Sequence, residues 1–439
     1  MSTSQHLLHI FSFALFFFMS RAAEKPHGLI LPIRKNSTTL QYYTEVDMGT
    51  PLSNANVVID LGGELLWFDC DGYNSSSYHL LRCNSSKCKA ATTYECTDCN
   101  YPYSSDCSKN FCGVYPYNPL GNGFIEAGLA LGEDIMSVSS TDGISYLLSV
   151  EARHFPFTCR STRLGSILGS ELSGGTKGMI GLSRARSALS SQLASAFKLP
   201  HKFALCLPNS SATGPGDIFI GGGPYYMLPY GDVSKELMTT PLILNPVNNS
   251  PTRVGESNVH SDEYFIGVKS IHVDRKHVSF KESLLSINKK GIGGTKLSTL
   301  APYTILQTSI YKALVKDFVK AAASRKIKRV TSVAPFGACF SSKTIASSQT
   351  GPAVPVIHLQ LQSKSMYFRI YGANSMVEVE KDVLCLGFVD GGSNPTTSVV
   401  LGGHQLENYL LEFDLASSKL GFSTSLLLRN TTCSHYRLF

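Results

Sequence analysis

Asp60 is the residue of this sequence that is best placed to do chemistry. It follows the apolar residues Val57, Val58 and Ile59 and precedes Leu61, Gly62 and Gly63, so a buried strand is expected to end in a tight turn at the carboxylate. Two carboxylates at such turns can share one proton, because like charge drives their pKa values apart and leaves one a base and the other an acid. Whether Asp60 is catalytic therefore depends on a second carboxylate elsewhere in the chain.

Other patterns that could carry chemistry are weak. The nucleophile string Gly-x-Ser-x-Gly does not occur, and His154, His358 and His404 lack the spacing of metal ligands. We expect these histidines to be surface residues or hydrogen-bonded core residues. The "CTDC" stretch from Cys96 to Cys99 fits either a zinc site or a disulfide framework, and an oxidising compartment favours disulfides. We therefore predict no metal site and no cofactor.

The N-terminus is typical of a secretory signal peptide. Residues 7–19 are apolar and small residues follow, with cleavage expected near Ala22 or Ala23, so residues 1–23 are assigned to the signal. The apolar stretch is short for a membrane anchor, and no later segment has the roughly 18 apolar residues that a spanning helix needs. We expect secretion without membrane association.

Cysteines and glycosylation sequons agree with secretion. The twelve cysteines predict six disulfides, whose pairing cannot be read from spacing. They are Cys70, Cys83, Cys88, Cys96, Cys99, Cys107, Cys112, Cys159, Cys206, Cys339, Cys385 and Cys433. Sequons that permit glycosylation in the same compartment begin at Asn36, Asn74, Asn84, Asn209, Asn248 and Asn430.

The length and charge of the chain restrict its class. At 439 residues two domains are expected, and 43% apolar with 16% charged residues is typical of a globular protein. The net charge of +7 comes without a dense Lys/Arg block interleaved with aromatics, which argues against nucleic-acid binding. Outside the cell this excess would favour weak, salt-sensitive association with an acidic polysaccharide, and the alternative is a solvated basic surface.

Short alternating runs between Gly, Pro, Asn and Ser clusters predict a β-rich chain. In "TLQYYTEVDMGTP" the alternation places five residues on one strand face: Leu40, Tyr42, Thr44, Val46 and Met48. Helices are predicted in "SALSSQLASAFKLP" and in "TSIYKALVKDFVKAAASR", the second with Thr308 or Ser309 as its cap. Their apolar stripes are Leu189, Leu193 and Phe197, and Ile310, Leu314 and Phe318.

A weak internal repetition predicts two lobes. The first half has the Asp60 turn and later Gly181 after an apolar pair, and the second half has "TKLSTLAPYTIL" and later Gly402 after an apolar run. Each half would thus contribute a strand-turn element that an apolar-glycine strand crosses. We predict an all-β protein of two similar lobes that face each other across a cleft, residues 24–235 and 236–439.

These motifs resemble the pepsin-like aspartic proteases. The likeness is carried by "DLGG" at Asp60, "IGL" at Ile180 and "LGG" at Leu401, with support from "YTEVDMGTP" and "LEFDLASSKLGFS". The resemblance implies a bilobal, disulfide-rich fold of two pseudo-symmetric, β-barrel-like lobes. The cysteine-rich insertion after Trp67 is similar to that of the plant members.

The family's second carboxylate is missing. In the family's spacing, counted back from the helix that contains "SIYKAL", its position is taken by Ser298, whose hydroxyl cannot hold a shared proton near neutral pH. Loss of one acid–base partner alone costs roughly 10²–10⁴-fold in rate. Leu61 replaces the common Thr or Ser, and the hairpin expected over the cleft keeps Tyr115 and Tyr117 without the Tyr-Gly-Asp-Gly run. The resemblance implies that Asp60 is vestigial and that the chain is not an enzyme; weak proteolysis with an unplaced carboxylate is the alternative.

The nearest resemblance is to a non-proteolytic plant subgroup that contains basic 7S globulins, extracellular dermal glycoproteins, and inhibitors of microbial xylanases and endoglucanases. Matching strings lie in both lobes: "DLGGELLWFDC", "STLAPYTILQTSIYKAL", "GANSMV", "CLGFVDGGSN" and "GGHQLENYLLEFDL". The resemblance implies a secreted glycoprotein of the plant apoplast and cell wall that inhibits a microbial glycoside hydrolase in defence. A cell-wall binding or storage globulin without inhibitory activity is the alternative.

The resemblance also implies an inhibitory residue. Glycoside hydrolases work with two carboxylates in an open cleft, where a basic side chain would be held by charge-assisted hydrogen bonds. Endoglucanase-inhibiting relatives carry such a residue shortly before the last cysteine, where this chain has Arg429, and xylanase-inhibiting relatives have a histidine there. Gln349 stands where the relatives have a second inhibitory arginine, and Asn430 opens a sequon beside Arg429. An endoglucanase inhibitor is therefore expected, unless Arg429 is an ordinary exposed arginine.

Overall fold

Strands dominate the fold, as the alternating pattern predicts. The computed structural model describes residues 26–91, 94–97, 110–120, 123–125, 128–161, 167–210, 214–248 and 259–435. The helices in these ranges are α1 Ser86–Ala90, α2 Leu189–Phe197, α3 Thr308–Ser324, α4 Gly372–Ser375 and α5 Gly403–Leu406. The predicted signal peptide lies outside the described residues.

The strands of the first half are β1 Gly28–Lys35, β2 Tyr42–Met48, β3 Ser53–Asp60, β4 Leu66–Asp69, β5 His79–Leu80, β6 Tyr94–Thr97, β7 Phe111–Val114, β8 Tyr117–Asn118, β9 Phe124–Ile125, β10 Leu129–Thr141, β11 Tyr146–Arg160, β12 Gly178–Gly181, β13 Lys202–Cys206, β14 Gly216–Ile220, β15 Tyr226–Met227 and β16 Gly231–Asp232. Those of the second half are β17 Met238–Ile243, β18 Phe265–Ile266, β19 Ser270–Val273, β20 Lys276–His277, β21 Thr295–Leu297, β22 Thr304–Leu306, β23 Arg329–Val330, β24 Cys339–Ser341, β25 Ser347–Ser348, β26 Gly351–Pro352, β27 Ile357–Gln360, β28 Tyr367–Ile370, β29 Met376–Glu380, β30 Val383–Leu386, β31 Phe388–Asp390, β32 Val399–Leu401, β33 Leu410–Asp414 and β34 Lys419–Phe422.

Three paired strands position the Asp60 turn. β2 pairs antiparallel with β3, and β3 pairs parallel with β12 so that Asp60 stands opposite Gly181. β2 forms because its alternate residues are suited to burial: Tyr42, Thr44, Val46 and Met48. Leu40 does not belong to this face, because it precedes the strand in a turn with a φ of 60°.

The second half repeats this arrangement. β21 pairs parallel with β32, with Leu297 opposite Leu401, and β22 pairs antiparallel with the same strand. Continuing the first register by one residue sets Ser298 opposite Gly402. Each half therefore has a strand-turn element that an apolar-glycine strand crosses.

Both predicted helices are present, and their apolar stripes face the core. Leu189, Leu193, Ile310, Leu314 and Phe318 are buried, whereas Phe197 is partly exposed. The cap of α3 is Gln307 and not Thr308 or Ser309, because its Oε1 accepts a hydrogen bond from the Ser309 backbone N–H at 2.7 Å. The Thr308 hydroxyl instead donates to Asp390 Oδ1 at 2.6 Å. None of the helices in the described ranges is long and apolar enough to cross a membrane.

Paired strands also join the two halves. β13 pairs antiparallel with β33, where the rings of Phe203 and Phe413 stack with their centroids 4.7 Å apart. The Cys206–Cys433 disulfide links the same region. The two halves therefore share one sheet at this junction. The predicted boundary at residue 235 stays a prediction.

The described part of the chain contains five disulfides, and the zinc alternative for "CTDC" is wrong. They are Cys70–Cys159, Cys83–Cys96, Cys88–Cys112, Cys206–Cys433 and Cys339–Cys385. Cys96 is oxidised and thus has no thiolate to bind zinc. Cys99 and Cys107 lie outside the described residues. Within those residues no group of three His, Cys, Asp or Glu side chains is arranged to hold a metal.

Candidate functional site

The predicted catalytic and hairpin residues line one cleft of about 550 Å³. Asp60 lies on the wall from the first half, and Ser298 lies on the wall from the second half. Tyr115 and Tyr117 also line the cleft, the latter from the hairpin formed by β8 and β9. The structure therefore brings together four side chains that are up to 238 positions apart in the sequence.

The turn after Asp60 requires its glycines. Asp60 is only 9% exposed, and its Oδ1 accepts a hydrogen bond from the Gly62 backbone N–H at 2.8 Å. A Cβ on Gly63 would stand 2.9 Å from Asp60 Oδ2 and 3.1 Å from the Cα of Gly181. At position 63 only a glycine lets the backbone fold this closely over the carboxylate, which explains the second glycine of the pair.

Burial makes Asp60 a weak acid. It raises the pKa of the carboxyl from 3.8 to about 6; the Gly62 N–H lowers it, the Glu263 carboxylate raises it and the Lys296 ammonium lowers it. Lys296 Nζ lies 2.6 Å from Glu263 Oε1, so this cation is already paired beside Asp60. No pattern in the sequence identified Glu263 and Lys296 as neighbours of Asp60. Lys296 stands two residues before Ser298, but no local signal marks Glu263.

The Ser298 hydroxyl closes its own turn. Its Oγ accepts hydrogen bonds from the backbone N–H groups of Leu300 and Ala301, each at 3.2 Å. The next residue, Thr299, joins the two turns, because its Oγ1 donates to Ile59 O at 2.6 Å and accepts from the Leu61 N–H at 3.0 Å. Because the side chain of Leu61 has no hydroxyl, it cannot make the corresponding hydrogen bonds to the turn at Ser298.

Among the described residues that line the cleft, Asp60 stands at the turn of the first half and Ser298, without a carboxylate, at the turn of the second half. Glu263 is the described carboxylate whose charge acts on Asp60, yet its Oε1 is held by Lys296 at 2.6 Å. The Glu263 carboxylate is thus engaged by a cation on the side of the cleft next to Asp60.

We expect Asp60→Asn to stabilise the protein at neutral pH. The folded chain holds the Asp60 proton more tightly than the unfolded chain, so ionisation costs stability as pH rises from about 4 through about 6. Removing the charge should add about 3 kcal/mol to the free energy of unfolding near pH 7, at roughly 1.36 kcal/mol per pKa unit, and almost nothing below pH ~4. Urea unfolding across this pH range measures the gain. Asp382→Asn, in an exposed pair with Lys343, is the control, and an equal gain in both variants at every pH would contradict the prediction.

Arg429 and Gln349 lie together on a second surface, outside the residues that line the cleft. The Arg429 side chain is 44% exposed; its Nη2 donates to Glu236 Oε2 at 2.9 Å, and its guanidinium lies 4.9 Å from the centre of the Tyr230 ring. Gln349 Nε2 donates to Asn430 Oδ1 at 2.9 Å. We call these five residues the Arg429 surface. Glu236 and Tyr230 are part of it without any signal in the sequence.

Backbone geometry presents Arg429. The 3-10 turn Leu426–Arg429 buries Leu426 and ends at Asn430, which adopts a left-handed conformation with a φ of 55°. The disulfide of Cys433 with Cys206 anchors the chain just beyond it. The arginine therefore stands at the end of a short segment that is fixed on both sides.

The sequon asparagines and the singled-out histidines have varied surroundings. Asn74, Asn84 and Asn430 are exposed, whereas Asn36, Asn209 and Asn248 are partly buried. His154 Nδ1 lies 2.8 Å from Glu133 Oε1, and His404 Nδ1 lies 3.3 Å from Glu407 Oε2. Both histidines thus contact a carboxylate. His358 lies on strand β27 and is partly exposed.

Two family models match the chain. The model described as xylanase inhibitor N-terminal matches residues 42–222, and the model described as xylanase inhibitor C-terminal matches residues 263–424. The two matched ranges include Asp60, Ser298, Gln349 and the hairpin tyrosines Tyr115 and Tyr117. They end before Arg429.

Curated relatives match over nearly their full length. The probable aspartic proteinase GIP2 of Nicotiana benthamiana is 47% identical over 95% of this chain and 93% of its own. Gamma conglutin 1 of Prunus dulcis is 38% identical over 94% and 90%, and the basic 7S globulin of Glycine max is 34% identical over 95% and 93%.

Solved structures agree with these relatives. The crystal structure of edgp superposes with a TM-score of 0.89 at 47% identity, covering 94% of this chain and 99% of that chain. The basic 7S globulin from soybean superposes with a TM-score of 0.79 at 31% identity over the same shares. The predicted all-β, bilobal, pepsin-like fold is confirmed by these likenesses.

Proposed function

Because the chain belongs to the xylanase inhibitor family, the non-proteolytic subgroup of pepsin-like proteins, we propose that it is a secreted inhibitor of a microbial glycoside hydrolase, of the endoglucanase type. The observation that carries this proposal is the exposed guanidinium of Arg429 at the end of a disulfide-anchored segment. The proposed location is the plant apoplast and cell wall, and the proposed role is defence. The five disulfides and the exposed sequon at Asn430 support secretion.

The mechanism follows from the chemistry of the two partners. A glycoside hydrolase holds two carboxylates in an open cleft, and a guanidinium presents five donors in a planar fork that matches carboxylate geometry. Tyr230 lies against the Arg429 guanidinium and Glu236 holds one nitrogen, so the side chain is ordered before binding. An ordered arginine loses less conformational entropy on insertion, and it would exclude substrate by occupying the space between the acids.

Inhibition of purified microbial endoglucanases and xylanases by the secreted protein tests the proposal. We expect at least one endoglucanase to be inhibited in competition with its substrate. No inhibition of any hydrolase in the panel would overturn the proposal. The alternative is then a cell-wall binding or storage globulin. The ion pair between Arg429 and Glu236 of the same chain favours this alternative, because Glu236 already neutralises the charge of the arginine.

We propose further that the chain is not a peptidase, with Ser298 at the lost position of the second carboxylate. Ser298→Asp alone is expected to leave no detectable peptide cleavage at acid pH. The Lys296–Glu263 ion pair would still lie beside Asp60 in the cleft, and Leu61 would still stand where the family has the side-chain hydroxyl of a Thr or Ser. The assay is hydrolysis of a fluorogenic peptide, with pepsin as the positive control. Cleavage by either protein that an aspartic-protease inhibitor blocks would show that Asp60 remains functional.

A further inference from the structure

A row of basic side chains crosses an open face of the four-stranded sheet β20-β19-β27-β28. The register sets His277 opposite His272, His272 opposite His358, and His358 opposite Arg369. We call these four residues the histidine row. Alternate residues on the three longer strands are buried in the core, namely Ile271, Val273, Ile357, Leu359, Phe368 and Ile370, so the row lies on the other face, where its members are partly or fully exposed.

An aromatic ring stands within the row. The Tyr367 ring centre lies 6.0 Å from that of His272 and 5.8 Å from that of His358, and both imidazoles are nearly perpendicular to it. The Arg369 guanidinium lies 6.0 Å from the same ring, and the His272 and His277 rings are 5.4 Å apart. The face therefore combines a ring surface with a line of nitrogen donors.

Nearby carboxylates are engaged around the row. Glu282 Oε1 lies 3.0 Å from His277 Nε2 at one end of it. Asp274 Oδ1 accepts from Arg325 at 2.7 Å, and Asp317 lies 3.3 Å from Lys276. Among the described residues Arg369 contacts no carboxylate.

The row is costly for the folded protein when its histidines are protonated. Like charges directly opposite each other on neighbouring strands are destabilising. Burial lowers the pKa of His358, and Arg369, His272 and Arg275 lower it further, while Asp274 raises it. His272 faces the Ser270 hydroxyl at 2.8 Å, which brings no negative charge. An anion bound across the row would offset this cost.

We propose that the histidine row binds an acidic polysaccharide built of uronate sugars, and that it does so more tightly in acid than at neutral pH. Neighbouring strands lie about 4.7–4.9 Å apart, close to the length of one pyranose ring, so a uronate chain laid across the sheet brings carboxylates to the row at intervals of one or two strands. The Arg369 fork is suited to a planar carboxylate, and the Tyr367 ring offers a surface for the apolar face of a sugar. This proposal is independent of hydrolase inhibition.

Calorimetric titration with an oligogalacturonate of defined length tests the proposal at about pH 5 and about pH 7.5, on either side of the ordinary histidine pKa. At constant ionic strength, we expect about tenfold tighter binding at the lower pH, because bound carboxylates favour the protonated form of the imidazoles that they contact. The double variant His272→Gln/His358→Gln should lose most of this difference. The fully methyl-esterified oligomer, which has no carboxylate, should bind poorly at both pH values.

The matched control is Arg153→Gln, which removes a full positive charge. Arg153 is 74% exposed and lies outside this sheet. Thermal unfolding of each variant confirms that the fold is retained, and His277→Gln provides a second change at the exposed end of the row. Equal losses in Arg153→Gln and the double variant would reduce the effect to net charge and overturn the proposal. Absence of binding at about pH 5, unchanged binding by the double variant, or equal binding of a sulfated or nucleic-acid polyanion would overturn it as well.

Discussion

Arg429→Ala is expected to abolish most of the inhibition of any endoglucanase that the protein blocks, with at least a roughly 30-fold rise in the inhibition constant. Truncating one member of a desolvated, hydrogen-bonded charge pair costs about 2–5 kcal/mol, which is roughly 30-fold to several thousand-fold in affinity. In the free protein the arginine pairs with Glu236, which is itself 47% exposed, so its removal should leave the fold intact. Steady-state inhibition kinetics on both proteins measure the effect.

Three matched variants separate this role from general charge. Arg429→Lys keeps the charge and loses the planar fork, so it should retain only part of the inhibition. Arg153→Ala removes a more exposed positive charge elsewhere and should inhibit like the wild type. Asn430→Gly removes the sequon next to Arg429 and suits the left-handed backbone there, and stronger inhibition by this variant would mean that a glycan obstructs docking. Full inhibition by Arg429→Ala would refute the role of Arg429 while leaving inhibition itself established.

Glu407→Ala is expected to lower the free energy of unfolding by about 3–5 kcal/mol, because it leaves a buried ammonium without its counter-ion. Glu407 Oε1 lies 2.5 Å from Lys35 Nζ and accepts a hydrogen bond from the Tyr42 hydroxyl at 2.7 Å. The side chains of Glu407 and Lys35 are 2% and 6% exposed. The carboxylate joins β1 and β2 of the first half to the end of α5 in the second half, so its loss weakens the contact between the lobes. Guanidinium unfolding near pH 7 measures the loss.

The same pair predicts a pH dependence. Burial raises the pKa of Glu407, but the hydrogen bond and charge of His404 and the charge of Lys35 outweigh it and hold the pKa below its ordinary value. The stabilisation is therefore present above the unfolded-state pKa of about 4.3 and is lost as pH falls through the folded-state value. The difference between wild type and Glu407→Ala should shrink in that acid range.

Two further variants test the cause. The double variant Lys35→Met/Glu407→Leu should recover part of the stability, because the buried ammonium is removed together with its counter-ion, while the Tyr42 hydroxyl still loses its acceptor. Asp382→Asn, at an exposed pair with Lys343 and in a left-handed conformation that asparagine tolerates, should change the free energy of unfolding by less than about 1 kcal/mol. A loss in Glu407→Ala as small as that of the surface control would contradict the prediction.

The sequence alone determined the local elements and the family. Period-two alternation in β2 predicted which side chains enter the core, because strand side chains point to opposite faces in turn. The stripes of α2 and α3 followed from helical spacing in the same way. Asp60 before two glycines indicated the turn, and the motifs in both halves indicated a pepsin-like protein. All of these depend on residues that are near each other in the chain.

Only the tertiary structure decided the electrostatics and the surfaces. The pKa of Asp60 depends on burial and on Glu263, which lies 203 positions away in the sequence. Gln349 meets Asn430 across 81 positions, and the histidine row exists because four strands pair in one register. A shift of that register by one residue would turn every histidine to the other face of its strand. Packing between distant segments sets these contacts, and no local pattern in the sequence encodes which segments will meet.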